Sequence, residues 1–148
     1  MPQRILKTVK KTCYTGTLFL LFIGRQSYAG DVLVTVEGIQ ATATLYGALV
    51  NSTSGDWAQP ALQVSRNEGE TLHFADVPAG EYAIQVFQDL NGNAELDQSR
   101  RGVPLEPVGF SGNPSLFNGK PSADKARFEH GSADTQVSIR LRQPKKRN

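Results

Sequence analysis

From residue 30 onward, apolar and polar positions alternate with a period of two in one run after another. Val32, Val34 and Val36 interleave with Leu33, Thr35 and Glu37, the pattern of a strand with one face turned inward. The alternation returns in Thr44–Leu49, Thr71–Phe74, Tyr82–Phe87 and Gln136–Leu141, and a further strand is expected over Lys125–His130. Turn formers separate the runs: Asn51-Ser52-Thr53-Ser54-Gly55-Asp56, Asn67-Glu68-Gly69, Asp76-Val77-Pro78-Ala79-Gly80 and His130-Gly131-Ser132. No window carries a helical stripe. Short strands at this spacing predict an all-β fold, an antiparallel Greek-key β-sandwich of immunoglobulin-like type with about seven strands.

Two local features refine that picture. Tyr82 follows a Pro/Gly turn and opens a strand, the place of a tyrosine corner, whose hydroxyl bonds backbone a few residues upstream while the ring packs on the core. The alternative is an ordinary half-buried strand tyrosine. The segment from Asp89 to Ala123 lacks alternation and contains Pro104, Pro107, Pro114 and Pro121. A connection that long inside a compact domain is usually functional or mobile, and a 3₁₀ turn or short helix within it is expected.

Ahead of the alternating region the pattern changes. Met1 to Lys11 carry Arg4, Lys7, Lys10 and Lys11 and no acid, and a largely apolar stretch follows from Cys13 to Gly24. A basic segment before a short apolar one reads as an export leader; the apolar run is too short to be a permanent membrane anchor. Ser27-Tyr28-Ala29 fits the small-x-small cleavage pattern, placing the cut between Ala29 and Gly30. The expected organisation is a leader over 1–29, one sandwich domain over 30–142 and a basic, disordered tail over 143–148. The location is expected to be periplasmic or secreted, with no stable transmembrane anchor after cleavage.

Cleavage reverses the charge, because the leader takes five of the sixteen basic residues and none of the fourteen acidic ones, leaving the mature chain at −3. A clustered basic face for nucleic acid is therefore absent. Cys13 leaves with the leader, so disulfides, thiolate metal sites and cysteine nucleophiles are excluded from the mature chain.

The candidate chemistry lies in Asp89-Leu90-Asn91-Gly92-Asn93-Ala94-Glu95-Leu96-Asp97, where oxygen-bearing side chains recur at every second position. Calcium takes six to eight oxygens at about 2.3–2.6 Å, and a loop of this kind can supply them. On that reading Asp89, Asn91 and Asn93 give side-chain oxygens, Glu95 its carbonyl and Asp97 a direct or water-bridged contact. The loop is not an EF-hand: Ala94 stands at the sixth position where glycine is required, and Arg100 at the twelfth where a bidentate glutamate belongs. A closing carboxylate must come from elsewhere, with Glu106 the nearest candidate and Asp31 or Glu81 the others. The competing reading is an Asx-rich turn bonded to its own amides, with no metal.

Taken in order, Pro78-x-Gly80-x-Tyr82-Ala83, Asp89-x-Asn91-x-Asn93-x-x-x-Asp97 and Gly102-x-Pro104-x-Glu106-x-x-Gly109-Phe110-Ser111 form a set that continues through Gly119-x-Pro121 and Ala126-x-Phe128. The set resembles the exported bacterial family catalogued as domain of unknown function 2141. That resemblance implies a transthyretin-like or carboxypeptidase-regulatory-like β-sandwich with a signal peptide and no established activity. The chain departs from the family pattern at Ala94, where glycine is usual, and at Gly112, where asparagine is usual; the first departure weighs against the metal reading.

Other residues give less. Ser111 lacks the glycine pattern and strand-to-helix context of a nucleophile elbow. His73 and His130 are expected as half-exposed strand residues, and Trp57 as a plug at the open end of the sandwich or as a stacking platform for sugar or peptide. The leading expectation is a non-enzymatic module binding a protein, peptide or glycan outside the cytoplasm through the Asp89–Phe110 loop. The rivals are a hydrolase using Asp89, Asp97 and Glu106, and a purely structural envelope protein.

Overall fold

The computed structural model describes residues 29–40 and 42–144. The expected leader lies outside the described residues except for Ala29, and of the expected tail residues 145–148 do as well. The described chain is an all-β sandwich of eight strands: β1 (Ala29–Glu37), β2 (Thr44–Asn51), β3 (Gln63–Asn67), β4 (Thr71–Pro78), β5 (Gly80–Asp89), β6 (Val108–Phe110), β7 (Arg127–His130) and β8 (Thr135–Arg140). A 3₁₀ turn over Ala123–Ala126 precedes β7.

One sheet has the order β4-β1-β8, and the other runs β3-β2-β5, with β6 and β7 both lying along the far side of β5. Every pairing is antiparallel but one: β1 and β8 run parallel from Val32↔Thr135 to Glu37↔Arg140. This departs from the all-antiparallel expectation for a physical reason. Alternation reports which face a residue takes, not the direction of the neighbouring strand, and here the neighbours are the two ends of the domain. β3 and β6 are also absent from the sequence reading, since β3 has Val64 as its sole apolar residue and β6 is three residues long inside a proline-rich stretch.

The main core lies between the sheets. Val32, Val34 and Val36 of β1, Leu72, Phe74 and Val77 of β4, and Ile139 of β8 meet Leu45 and Leu49 of β2 and Tyr82, Ile84 and Val86 of β5. A second core lies on the outer face of the β2–β5 sheet. There Val50, Ala83, Val108 and Phe110 are covered by Ala123 and Ala126, with Trp57, Phe87, Leu96 and Leu116 packed against them. The long segment after β5 is thus a third layer with its own apolar anchors.

Where backbone pairing stops, side chains replace it. The Gln88 carboxamide, fully buried, accepts from the Gln40 amide at 2.9 Å and donates to the Gln40 carbonyl at 2.6 Å, tying the β1–β2 connection to β5. His130 is buried rather than half-exposed, because Nε2 donates to the Val77 carbonyl of the opposite sheet at 2.9 Å and Nδ1 lies 2.7 Å from the Thr135 hydroxyl. His73 is exposed and pairs with Asp31 at 2.7 Å. Sandwich contacts run as far as Gln143, whose amide donates to the Gly38 carbonyl.

The tyrosine corner is present: the Tyr82 hydroxyl donates to the Pro78 carbonyl at 2.9 Å, and its ring lies in the main core against Phe128 and His130. Tyr82→Phe keeps the ring and removes one hydrogen bond, so it should cost about 1 kcal/mol in urea unfolding with the m-value unchanged.

Candidate functional site

β5 carries Asp89 to the rim of the sheet, and the chain then turns back on itself. The Asp89 side chain, 3% exposed, accepts from the amide of Gly92 at 2.7 Å with Oδ1 and from that of Ala94 at 2.8 Å with Oδ2. Asn91 Oδ1 accepts from the Asn93 amide and Asn93 Oδ1 from the Glu95 amide, at 3.1 and 2.9 Å. The last two are successive Asx turns, and Asp89 spans both from below. Two positive φ angles make the fold-back possible, 78° at Gly92 and 62° at Ala94. Ala94 therefore takes the left-handed conformation that glycine adopts at least cost.

Farther along, a short hairpin returns to the same place. Leu105 N donates to the Asp97 carbonyl at 2.8 Å, Ser99 N to the Val103 carbonyl at 2.8 Å, and Gly102 closes the turn onto Ser99. The Pro107 carbonyl then accepts from Gln88 N at 3.0 Å, which lays this strand beside β5 and fixes Glu106 against the loop. Glu106, 5% exposed, accepts from Leu90 N at 2.8 Å with Oε1 and from Asp97 N at 3.2 Å with Oε2. One carboxylate thus clamps both ends of the Asp89–Asp97 loop.

Of the three candidates for a closing carboxylate, Glu106 alone reaches the loop. Asp31 is engaged in β1, where it accepts from the Asp76 amide at 3.0 Å and pairs with His73. Glu81 stands at the opposite end of β5, about 26 Å away by strand rise, facing Arg127 at 3.7 Å. Asp97 is met on both oxygens by carboxamides: Asn91 Nδ2 donates to Oδ2, and Asn93 Nδ2 to Oδ1 at 3.3 Å. The side chain of Glu95 is exposed. Among the described residues no three His, Cys, Asp or Glu side chains are grouped so as to hold a metal ion, so a cation here would draw on the Asn91 and Asn93 carboxamides and on backbone carbonyls.

The electrostatics follow from the amides. Burial pushes the Asp89 carboxyl up, but the amide donors of Ala94, Gly92, Asn91 and Asn93 together outweigh it and hold the group below the usual aspartate value. A general acid needs the reverse. Ser111 is fully buried and structural: its hydroxyl accepts from Ile84 N at 2.9 Å and donates to the Ala126 carbonyl. Trp57 is anchored below the long segment, with Nε1 donating to the Pro121 carbonyl at 2.7 Å, its ring 5.4 Å from Phe110 and Lys120 Nζ 5.1 Å above it.

The sequence reading passed over the outer surface of this assembly. Leu90, Val103 and Leu105 are 46%, 54% and 55% exposed, and Arg100 and Arg101 at the hairpin tip make no ion pair among the described residues. Apolar letters in a proline-rich stretch suggest burial, and only the hairpin register turns these outward.

A family model described as an uncharacterized protein conserved in bacteria matches residues 34–138. No curated protein and no solved structure matches the chain.

Two outcomes test the loop geometry. Because the folded-state pKa of Asp89 is depressed, its contribution to stability is present above the unfolded value of about 3.9 and lost as pH falls through the folded value. Asp89→Asn, which keeps one acceptor and sets an amide donor against a second donor, should cost on the order of 2 kcal/mol at pH 7 and flatten the acid limb of the stability–pH curve. Ala94→Gly should raise stability by roughly 0.5–1 kcal/mol, since the left-handed strain at Ala94 exceeds the added chain entropy of glycine. Thermal unfolding of the three proteins between pH 3 and 7 reads both.

Proposed function

The chain belongs to the bacterial family catalogued as domain of unknown function 2141, and from that membership and the loop geometry we propose that it is an exported, non-enzymatic β-sandwich module that binds a partner through the surface held up by the Asp89–Phe110 segment. The carrying observation is the fate of the buried carboxylates. Asp89 and Glu106 each spend both oxygens on backbone amides. Carboxylates used in this way hold a shape; they are poorly placed to pass protons or to activate water.

What they hold is a rigid rim with an exposed aliphatic and cationic surface: Leu90, Val103, Leu105, Arg100 and Arg101. A mixed surface of this kind suits a protein or peptide better than a bare glycan, since aliphatic side chains gain little against sugar hydroxyls. Export is supported by the basic and apolar character of residues 1–29. The test is site-specific photo-crosslinking in cells. A crosslinker at Val103 or Leu105 should yield a discrete adduct in the periplasmic or secreted fraction, and one at Glu129, exposed beside Glu81 at the opposite end of β5, should not. Equal labelling from all three positions would contradict the assignment.

A second reading, calcium at the same loop, is favoured by one observation. Asn91, Asn93 and Asp97 converge, with both carboxamides turned toward the Asp97 carboxylate. A calcium ion would take the place of the amide donors and turn the carboxamide oxygens inward. At ten times a millimolar-range dissociation constant the folded state gains about 1.4 kcal/mol, roughly 5 °C in melting temperature for a domain of this size. Magnesium should give much less. A rise of several degrees with calcium, removed by chelator and by Asp97→Ala, establishes the ion; a change below about one degree leaves the loop to its own amides.

A further inference from the structure

We propose that the partner segment received at the Asp89 rim is an acidic peptide stretch, carboxylates interspersed with aliphatic side chains, and that the basic C-terminal residues of this chain help to hold it. The inference rests on the partner-binding reading of that surface and names the chemistry of the partner. Charge is sorted along the sandwich rather than mixed over it. The end where β1, β5 and β8 begin carries Asp31, Asp76, Glu81, Glu129 and Asp134; there Arg127 faces Glu81 and His73 faces Asp31. The end at Asp89 is the reverse. Arg100 and Arg101 at the hairpin tip and Arg142 beside Val108 are exposed, and none of the three makes an ion pair among the described residues. The acids of this end are already engaged: Asp89 and Glu106 by amides, Asp97 by two carboxamides and Glu37 by Arg140, which leaves Glu95 exposed.

The course of the chain brings further cations to the same end. Arg142 N donates to the Val108 carbonyl at 2.7 Å and the Arg142 carbonyl accepts from Val108 N at 3.2 Å, in an antiparallel bridge. Beyond Arg142 the chain therefore heads back past Pro107 toward Glu106, the residue that clamps the loop. Lys145, Lys146 and Arg147 follow Pro144, and three residues span at most about 10 Å, so their backbone stays near this rim whatever path it takes. Six of the eleven basic residues after position 29 thus gather where Leu90, Val103 and Leu105 are exposed. Arginine forks bind carboxylates in pairs of parallel hydrogen bonds, and aliphatic neighbours exclude water from such contacts. A peptide fits this better than an anionic membrane. The chain from residue 30 onward is net negative, so a wide anionic surface meets repulsion from the rest of the molecule, whereas a short segment touches the cationic end alone.

The experiment measures fluorescence anisotropy of labelled peptide pools on the purified protein: randomised Glu/Leu peptides, and Gln/Leu peptides of the same length as the uncharged match. The Glu/Leu pool should bind the more tightly and lose that advantage between about 0.05 and 0.2 M salt. Arg100→Glu with Arg101→Glu, and separately a chain ending at Pro144, should each weaken Glu/Leu binding roughly tenfold. Lys120→Glu with Lys125→Glu, exposed cations outside the rim, should change it less than twofold, with circular dichroism the same for all four proteins. Equal binding of the two pools, or an equal loss from the Lys120 and Lys125 changes, overturns the proposal. So does binding to phosphatidylglycerol vesicles that depends on Arg100 and Arg101 when neither pool binds, which assigns the rim to a membrane. If the pools show no preference while the crosslink from Val103 still forms in cells, the acidic class fails and the partner-binding reading stands; if that crosslink is absent too, both fail.

Discussion

β5 is buried on both faces and paired on both edges, and the rest of the molecule is arranged to make that possible. Its alternate residues serve two different cores: Tyr82, Ile84 and Val86 face the opposite sheet, while Ala83 and Phe87 face the layer formed by the long segment. One edge is taken by β2 from Tyr82 to Asp89. The other is covered end to end by two separate stretches of chain, residues 127–130 and 107–111. β7 pairs with residues 80–83, Ser111 meets Ile84, β6 pairs with residues 85–87, and the Pro107 carbonyl accepts from Gln88. Any gap in that series would leave a buried peptide group without a partner, at about 1–3 kcal/mol each, so the course of residues 105–130 is constrained by the strand it covers.

The same requirement explains the buried polar side chains. Gln88 stands in for a strand partner of Gln40, and His130 ties β7 to the opposite sheet through the Val77 carbonyl. Asn113, at φ 49°, accepts from Arg140 N and donates to the Ser138 carbonyl along the outer side of β8. Asp89 and Glu106 do so for a loop that has no strand partner at all. With no cysteine in the described chain, charge-assisted bonds to amides, each stronger than a neutral one, take the role that a disulfide has in many small exported domains.

The legibility of the sequence follows from this division. Positions that alternate because one face is buried were readable, which is why β1, β2, β4, β5 and β8 stand near their expected places. Tyr82 was readable because a Pro/Gly turn ahead of a strand leaves few roles for a tyrosine. The loop was readable as a polar unit but not as a choice between metal and amide, because Asp and Asn oxygens suit calcium and backbone N–H alike. The parallel β1–β8 pair, the sparse strand β3 and the burial of His130 were not readable, since each depends on a partner distant in the chain. Gly109 shows how a motif letter can carry a packing demand: a Cβ there would lie 2.6 Å from Ile139 Cγ2 and 3.1 Å from the Arg140 carbonyl oxygen, where β6 passes over β8.

The acids of the long segment, two of them buried, were what first suggested chemistry, and their bonding redirects that suggestion. A carboxylate that accepts two amides is fixed in place and disfavours protonation, as the lowered pKa of Asp89 illustrates. Such groups build a platform whose inner side is held by hydrogen bonds and whose outer side is free to vary. Leu90 and Leu105 flank Glu106 in the fold, one by donating its backbone N–H to that carboxylate and the other as its chain neighbour. The two exposed leucines are thus tied to the clamp that closes the loop, so that their placement and the closure of the loop rest on one side chain, Glu106.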